Sequence, residues 1–365
     1  MSAPVSRRAF LRLTGGLALL TAFESGPAVA ATGSEYFAAA YQSADGGYGV
    51  AVFTADGQMI RDIGLPGRGH DVTLSPRSGH CVAFARRPGT FAVVFDIHSK
   101  HPPLTLTSAP GRHFYGHGVF SPDGRLLYTT ENDYDAGDGI IGVYDTADDF
   151  RRIGEFPSHG VGPHQLALMA DGTTLVIANG GIETHPDFGR RKLNLATMQP
   201  NIAFMNRDSG DLLDRQSLPA DLHQLSLRHL AVAADQTVWI GGQYEGPVTD
   251  QPPLIASLRR DGQIDMIDQP EVTAGLKNYI GSVAVSRDGA RVATSAPRGN
   301  RVLIWSARDR RLIREIPVAA GCGAAPATTG FLLSGPTGEI LSTDTGAGQQ
   351  VSGHRWDNHI SRLQA

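Results

Sequence analysis

The chain has 365 residues, 41% hydrophobic and 19% charged, enough apolar content for a sizeable core. Its 32 basic and 36 acidic side chains give a formal charge of −4, which argues against nucleic acid as a partner. Only two cysteines occur, Cys81 and Cys322, far apart and outside any CxxC spacing, so neither a disulfide framework nor a zinc finger is expected. Two buried thiols are the simpler expectation.

Near the start of the chain stands Ser6-Arg7-Arg8-Ala9-Phe10-Leu11-Arg12, a twin-arginine signal. A short apolar run, Leu13 to Phe23, follows, and Ala28-Val29-Ala30 forms a small-residue cleavage site. The run is too short to span a bilayer. Residues 1–30 are therefore expected to be removed on export to the periplasm, without membrane insertion of the mature chain. Arg7, Arg8, Arg12 and Glu24 leave with the signal, which takes the net charge to −6.

From about Gly69 the chain repeats. HDVTLSPRSGHCVAFARR leads to FAVVFDI, HGVFSPDGRLLYTTEN to IIGVYDT, and HQLALMADGTTLVIAN to NIAFMNRDSG. HLAVAADQTVWIGGQ leads to LIASLRRDG, SVAVSRDGARVATSAP to RVLIWSARD, and a weaker GAAPATTGFLLSGP to EILSTDTG. Each unit reads as strand, tight turn, strand, loop, strand, with a poorer fourth strand behind it. Asp123-Gly124, Asp171-Gly172 and Asp288-Gly289 supply the positive φ that such turns demand. No segment sustains helical periodicity. Four-stranded units repeated in this way are the blades of a β-propeller.

Six units run to about Val351, and the chain ends supply a seventh. Tyr36 to Gln42, Tyr48 to Thr54 and Met59 to Leu65 read as three strands that lack an innermost one. Asn358 to Leu363 reads as that missing strand. The expected fold is an all-β, seven-bladed propeller over residues 31–365, closed by its two termini pairing in one blade. Closure of this kind removes open sheet edges.

Three insertions fall between second and third strands of consecutive units: Asp133 to Gly139, Glu183 to Met198 and Tyr244 to Pro253. In a propeller that position shares a face with the starts of the inner strands. Those starts carry histidines: His70, His117, His164 and His229, with His359 in the C-terminal strand. Imidazole is a common metal ligand, so a convergent ring of them would admit a divalent or transition metal. They would equally suit an organic ligand, or cap each blade by bonding a backbone carbonyl. Counted from the turn, His70 and His164 sit one residue earlier than His117 and His229. All four can face the axis only where a bulge corrects the register.

Around them the same face is expected to gather Glu131, Asn132, Asp133, Asn179, Glu183, His185, Arg190, Arg228 and Gln243 as ligand-binding candidates. Carboxylates beside imidazoles suit a mixed metal site or a general acid–base pair. The arginines favour an anion, which a guanidinium holds in a fork. There is no GxSxG, HExxH, phosphate-binding loop or CxxCH haem motif.

The twin-arginine start, YGHGVFSPDGRLLYTTENDYDAGDGIIGVYD, GPHQLALMADGTTLVIANGGIETHPDFGRRKLNL and SLRHLAVA resemble the bacterial domain of unknown function 1513 family. The resemblance spans nearly the whole mature chain. It implies an exported propeller, often encoded beside imelysin-type and other iron-uptake proteins, which would be its partners. It implies no reaction. In this chain the ring is incomplete, because the fifth and sixth units open on Ile280-Gly281-Ser282 and Gly321-Cys322-Gly323. SPDGRLLYTTEN and DGTTLVIANGG are also similar to the repeat signature of seven-bladed sugar lactonases, a signature of fold more than of activity. Three readings follow: a periplasmic protein binding a metal, an anionic ligand or a partner; a metal-assisted hydrolase of the lactonase type; and an interaction scaffold.

Overall fold

The structure, a computed structural model, describes residues 35–363. The expected export signal and its cleavage site lie outside them. Every strand belongs to one of seven antiparallel sheets. Six have four strands in simple chain order, and their first strands touch one another around the axis. These inner strands are Gly69–Leu74, Arg112–Phe120, Pro163–Leu168, Leu225–Val232, Ser282–Val285 and Gly323–Pro326.

The tight turns form as their sequence demands. Gly124, Gly172 and Gly289 have φ of 70°, 67° and 69°, and the aspartate before each accepts backbone N–H groups of the returning strand. The second strands are buried along almost their whole length, and Thr174–Asn179 along all of it, because both faces of each sheet are covered by neighbouring blades. The core is accordingly divided into seven apolar clusters, each shared by two adjacent blades. The last joins Leu332 and Ile340 of the sixth unit to Phe37 and Ala39 of the N-terminal strand, and so completes the ring.

The remaining sheet contains both ends of the chain. Strand Tyr36–Ser43 pairs with Tyr48–Thr54 on one side and with the C-terminus on the other. The C-terminal inner strand starts earlier than its sequence suggests and is broken. His354–Trp356 pairs with Tyr41 to Ser43, and Ser361–Leu363 pairs with Tyr36 to Ala38. After the bond from Asp357 N–H to the Ala40 carbonyl at 2.8 Å the ladder is interrupted until Ser361, and this break holds Asp357, Asn358 and His359.

The insertions differ in size from expectation. In the second unit the strands run to Asp133 and resume at Asp138, so only a turn separates them. The third unit carries a true loop from Gly180 to Pro200 containing one short 3-10 turn, Pro186–Phe188, and the fourth a loop after Tyr244. These segments meet: Tyr134 packs edge-on against His185, and Lys192 forms an ion pair with Glu245.

Candidate functional site: an imidazole cluster beneath an arginine-lined mouth

The register problem posed by the histidines is resolved by a β-bulge in each of the four inner strands. Gly69 and Val72 face Ala85 and Ala83, so one extra residue is accommodated around His70. Pro163 and Gln165 face the consecutive Asn179 and Ala178, which makes His164 itself the bulged residue. Leu227 and His229 face Gly242 and Gly241, with Arg228 bulged between them. Phe114 and Gly118 face Glu131 and Thr129, which places two extra residues just before His117. Gly116 in that bulge has φ +112°, and a Cβ there would lie 2.4 Å from the His70 ring. Glycine is needed both for the conformation and for the approach of the neighbouring imidazole.

The result is a single cluster of five imidazoles. Ring centroids of His70 and His359 are 4.6 Å apart, His164 and His229 4.8 Å, His117 and His359 4.8 Å, His70 and His117 4.9 Å, and His229 and His359 4.9 Å. Their relative exposures run from 1% to 7%, which takes them out of bulk water. Burial, followed by the neighbouring imidazoles and arginines, holds His70, His164 and His229 well below the usual histidine range and pushes His359 down to about 3. These four rings are therefore neutral at physiological pH. His117 Nδ1 lies 2.9 Å from Asp71 Oδ2, and Asp71 also accepts from Ser361 Oγ at 2.8 Å. Burial works against the Asp71 carboxylate, but the His117 hydrogen bond and the surrounding rings outweigh it and bring Asp71 to about 2.

None of the five rings bonds a backbone carbonyl among the described residues, so they do not act as carbonyl-bonding blade caps. Instead His117 Nε2, His164 Nδ1, His359 Nε2 and both nitrogens of His229 are buried with no hydrogen-bond partner among the described residues.

Above the cluster opens a cavity of about 530 Å³ whose walls include His70 and His164. Arg68, Arg86, Arg87, Arg190, Lys192, Arg228 and Arg298 line it, against two carboxylates, Glu245 and Asp357. Asp357 is shared by Arg68 and Arg86, the latter at 2.7 Å, and Glu245 by Lys192 and Arg228, the latter at 3.2 Å. Arg298 lies over the Tyr279 ring at 4.4 Å. Arg87 has no carboxylate partner among the described residues, and its guanidinium sits 5.9 Å from the Tyr115 ring. Burial and then Arg228 push Arg87 down to about 10. Desolvation, followed by Arg86, Arg87 and Arg68, does the same to Arg190.

Of the expected ligand-binding residues, Arg190, Arg228 and Gln243 line this cavity. The others do not reach it, for identifiable reasons. Glu131 is fully buried within its blade and accepts from Thr129 Oγ1, Tyr144 Oη and Arg152 at 2.7–2.9 Å. Asn132 donates to the Thr184 carbonyl and braces the long loop. Asp133 pairs with Arg112 at 2.8 Å. Asn179 ties Ser158 to Asn201. Glu183 is half-buried, its N–H donating to Asn194 Oδ1, and His185 caps the Pro186–Phe188 turn through Asp187 N. The cavity residues missed from sequence include Arg68 and Asp357, which stand two residues before a histidine, and Arg86, Arg87 and Arg298, which follow the ends of second strands. Neither cysteine is in a disulfide: Cys81 is buried in the core, and Cys322 is half-buried and lines the cavity.

The fold and site define a seven-bladed β-propeller with a buried imidazole cluster at its axis and an arginine-lined cavity above it. The chain belongs to the family described as "Protein of unknown function (DUF1513)", which matches residues 63–363. Among solved structures, hydrazine synthase from Kuenenia stuttgartiensis aligns with a TM-score of 0.60 at 14% identity, over 83% of this chain and 89% of that one. The Cps50 (Swd1) β-propeller domain from Myceliophteria thermophila aligns with a TM-score of 0.56 at 11% identity, over 84% and 92%. At such identities the likeness is one of fold. No curated protein matches the chain.

Proposed function

We propose that this propeller binds a small anionic ligand at the arginine-lined mouth of its channel. In this reading it is an exported, periplasmic binding or accessory protein, serving the iron acquisition that its family resemblance suggests. Of the occupants considered for this face, the anion is the one the cavity lining favours. The observation that carries the reading is the charge of that lining: seven cations in about 530 Å³ with only two carboxylates among them. Burial first, and then the repulsion of neighbouring cations, takes part of the basicity of Arg87 and Arg190. A guest bearing several negative charges would relieve that repulsion through charge-assisted, fork-like hydrogen bonds. The volume suits a small molecule.

A metal-assisted hydrolase would need a carboxylate or a histidine to act as base. Glu131 is committed inside its blade, and Glu245 and Asp357 are already ion-paired, which leaves that role to the imidazoles; the cationic lining favours binding over hydrolysis. Calorimetric titration with citrate, inorganic phosphate and glucose tests the proposal. Citrate is expected to bind, glucose not, and Arg87→Gln combined with Arg190→Gln to weaken citrate at least tenfold. Equal affinity for citrate and glucose, or no anion binding at all, would remove the reading.

A further inference from the structure

The anion reading uses the arginines and leaves the imidazole cluster below them without a role. We propose that this cluster is a transition-metal site built from nitrogen ligands alone and centred on His117. Two overlapping triads share that residue: His70, His117 and His359, and His117, His164 and His229. Within each, the ligand nitrogens lie within 4.8 Å of one another. Nitrogens around a tetrahedral metal at ~2.0–2.1 Å stand roughly 3.4 Å apart, so either triad closes on an ion with small ring movements.

The hydrogen bonding orients the rings for this. His117 Nδ1 donates to Asp71 Oδ2, which leaves the buried, unpartnered Nε2 with its lone pair free. A carboxylate behind an imidazole is the arrangement that fixes the tautomer of a metal-binding histidine and raises its donor strength. Ser361 holds Asp71 from its other oxygen. His70 Nδ1 faces Asp357 Oδ1 at 3.5 Å, a second and looser pairing of the same kind, with Nε2 as the available ligand atom. The unpartnered nitrogens of His164, His229 and His359 supply the remaining donors.

The donor set also selects the metal. Neither triad contains an oxygen ligand, and Asp71 and Asp357 stand behind the rings as hydrogen-bond partners. Calcium and magnesium, which need oxygen donors, are therefore excluded in favour of copper, zinc, nickel, cobalt or iron. His70 and His164 also line the cavity above, so an ion held here is reachable from the mouth. The site does not depend on the anion reading.

Chelator-stripped protein titrated with Co²⁺, Cu²⁺ and Zn²⁺ in a non-coordinating, anion-poor buffer tests the assignment. It predicts tight binding of these ions with Cu²⁺ strongest, no binding of Mg²⁺ or Ca²⁺, and nitrogen superhyperfine splitting in the Cu²⁺ electron paramagnetic resonance spectrum. Asp71→Asn, which keeps the ring and removes the charge behind it, should weaken the site by roughly 10- to 100-fold. His117→Ala should weaken it further, and His98→Ala with His101→Ala should leave it unchanged. Circular dichroism on each variant separates loss of binding from loss of fold. The proposal fails if the wild-type protein binds no transition ion, as a water-filled cluster would predict. It fails equally if binding survives both Asp71→Asn and His117→Ala, or disappears with the exposed His98 and His101. Citrate titration of the metal-free protein reports on the anion site separately.

Discussion

At His113, outside the axial cluster, each ring nitrogen has a defined partner. This residue is fully buried. Nδ1 donates to the Phe114 carbonyl at 3.0 Å, and Nε2 accepts from Asn132 Nδ2 at 3.0 Å, so the ring is neutral and its tautomer is fixed by its partners. Burial lowers its pKa to about 4, with Arg87 adding to the effect and the Phe114 bond partly opposing it. A proton added at Nε2 would point at the Asn132 amide hydrogens. Unfolded histidine binds that proton near pH 6.5, so between about 6.5 and 4 the unfolded chain holds more protons and stability falls as pH falls. The full shift is worth on the order of 3 kcal/mol. In denaturant titrations across that window, His113→Gln should start less stable at pH 8 yet lose less on acidification. Parallel curves for the two proteins would contradict the tautomer assigned here. Glu131 illustrates the opposite limit of sequence reading. Its neighbourhood in sequence is polar, yet its carboxylate faces Tyr144 of the adjacent strand and Arg152 of the strand beyond it. A strand's alternation tells which residues share a face, but not whether that face meets the channel or the next blade.

The element that does most for the ring is its last strand. Residues 354–363 provide the inner edge of the closing blade and carry Trp356, Ile360 and Leu363 into the core. Trp356 packs 5.0 Å from the Phe53 ring. Burying three such side chains contributes roughly 5–8 kcal/mol, and removing them also exposes the edge of strand Tyr36–Ser43. Truncation after Ser352 should therefore lower Tm on the order of 10 °C or more. A calorimetric scan that superimposes on that of the intact chain would show that the ring does not depend on this closure. The same segment brings His359 and Asp357 to the axis, so the truncated chain should also lose part of both proposed sites. The bulges act at this scale too. The one-residue offset between His70 or His164 and the later pair was legible in the sequence, and each offset is absorbed in the backbone.

For the molecule as a whole, charge is segregated. The chain is acidic overall, yet its cavity is lined by seven cations. A concave cationic mouth in an otherwise negative surface focuses its field inward and discriminates against extended polyanions. The association rate of citrate should accordingly fall several-fold as ionic strength rises from about 10 mM to about 0.3 M, over which the Debye length shrinks from about 30 Å to well under 10 Å. A rate indifferent to salt would mean that the arginines are neutralised by their own partners. Seven inter-blade clusters of similar make-up hold the walls of this mouth. The site is thus supported by the ring rather than by any one blade.

The sequence alone determined the repeat, its turns, the blade count, the sharing of one blade by the two ends and the histidines that open the inner strands. All of these are written in short-range pattern: Asp-Gly pairs, alternation of apolar residues, and a recurring spacing of about fifty residues. Tertiary structure decided which polar groups share the channel. His70 meets Asp357 across 287 residues of chain, and Arg86 meets the same carboxylate across 271. No local pattern encodes such contacts, because they exist only once the ring has closed and the bulges have turned each strand start toward the axis.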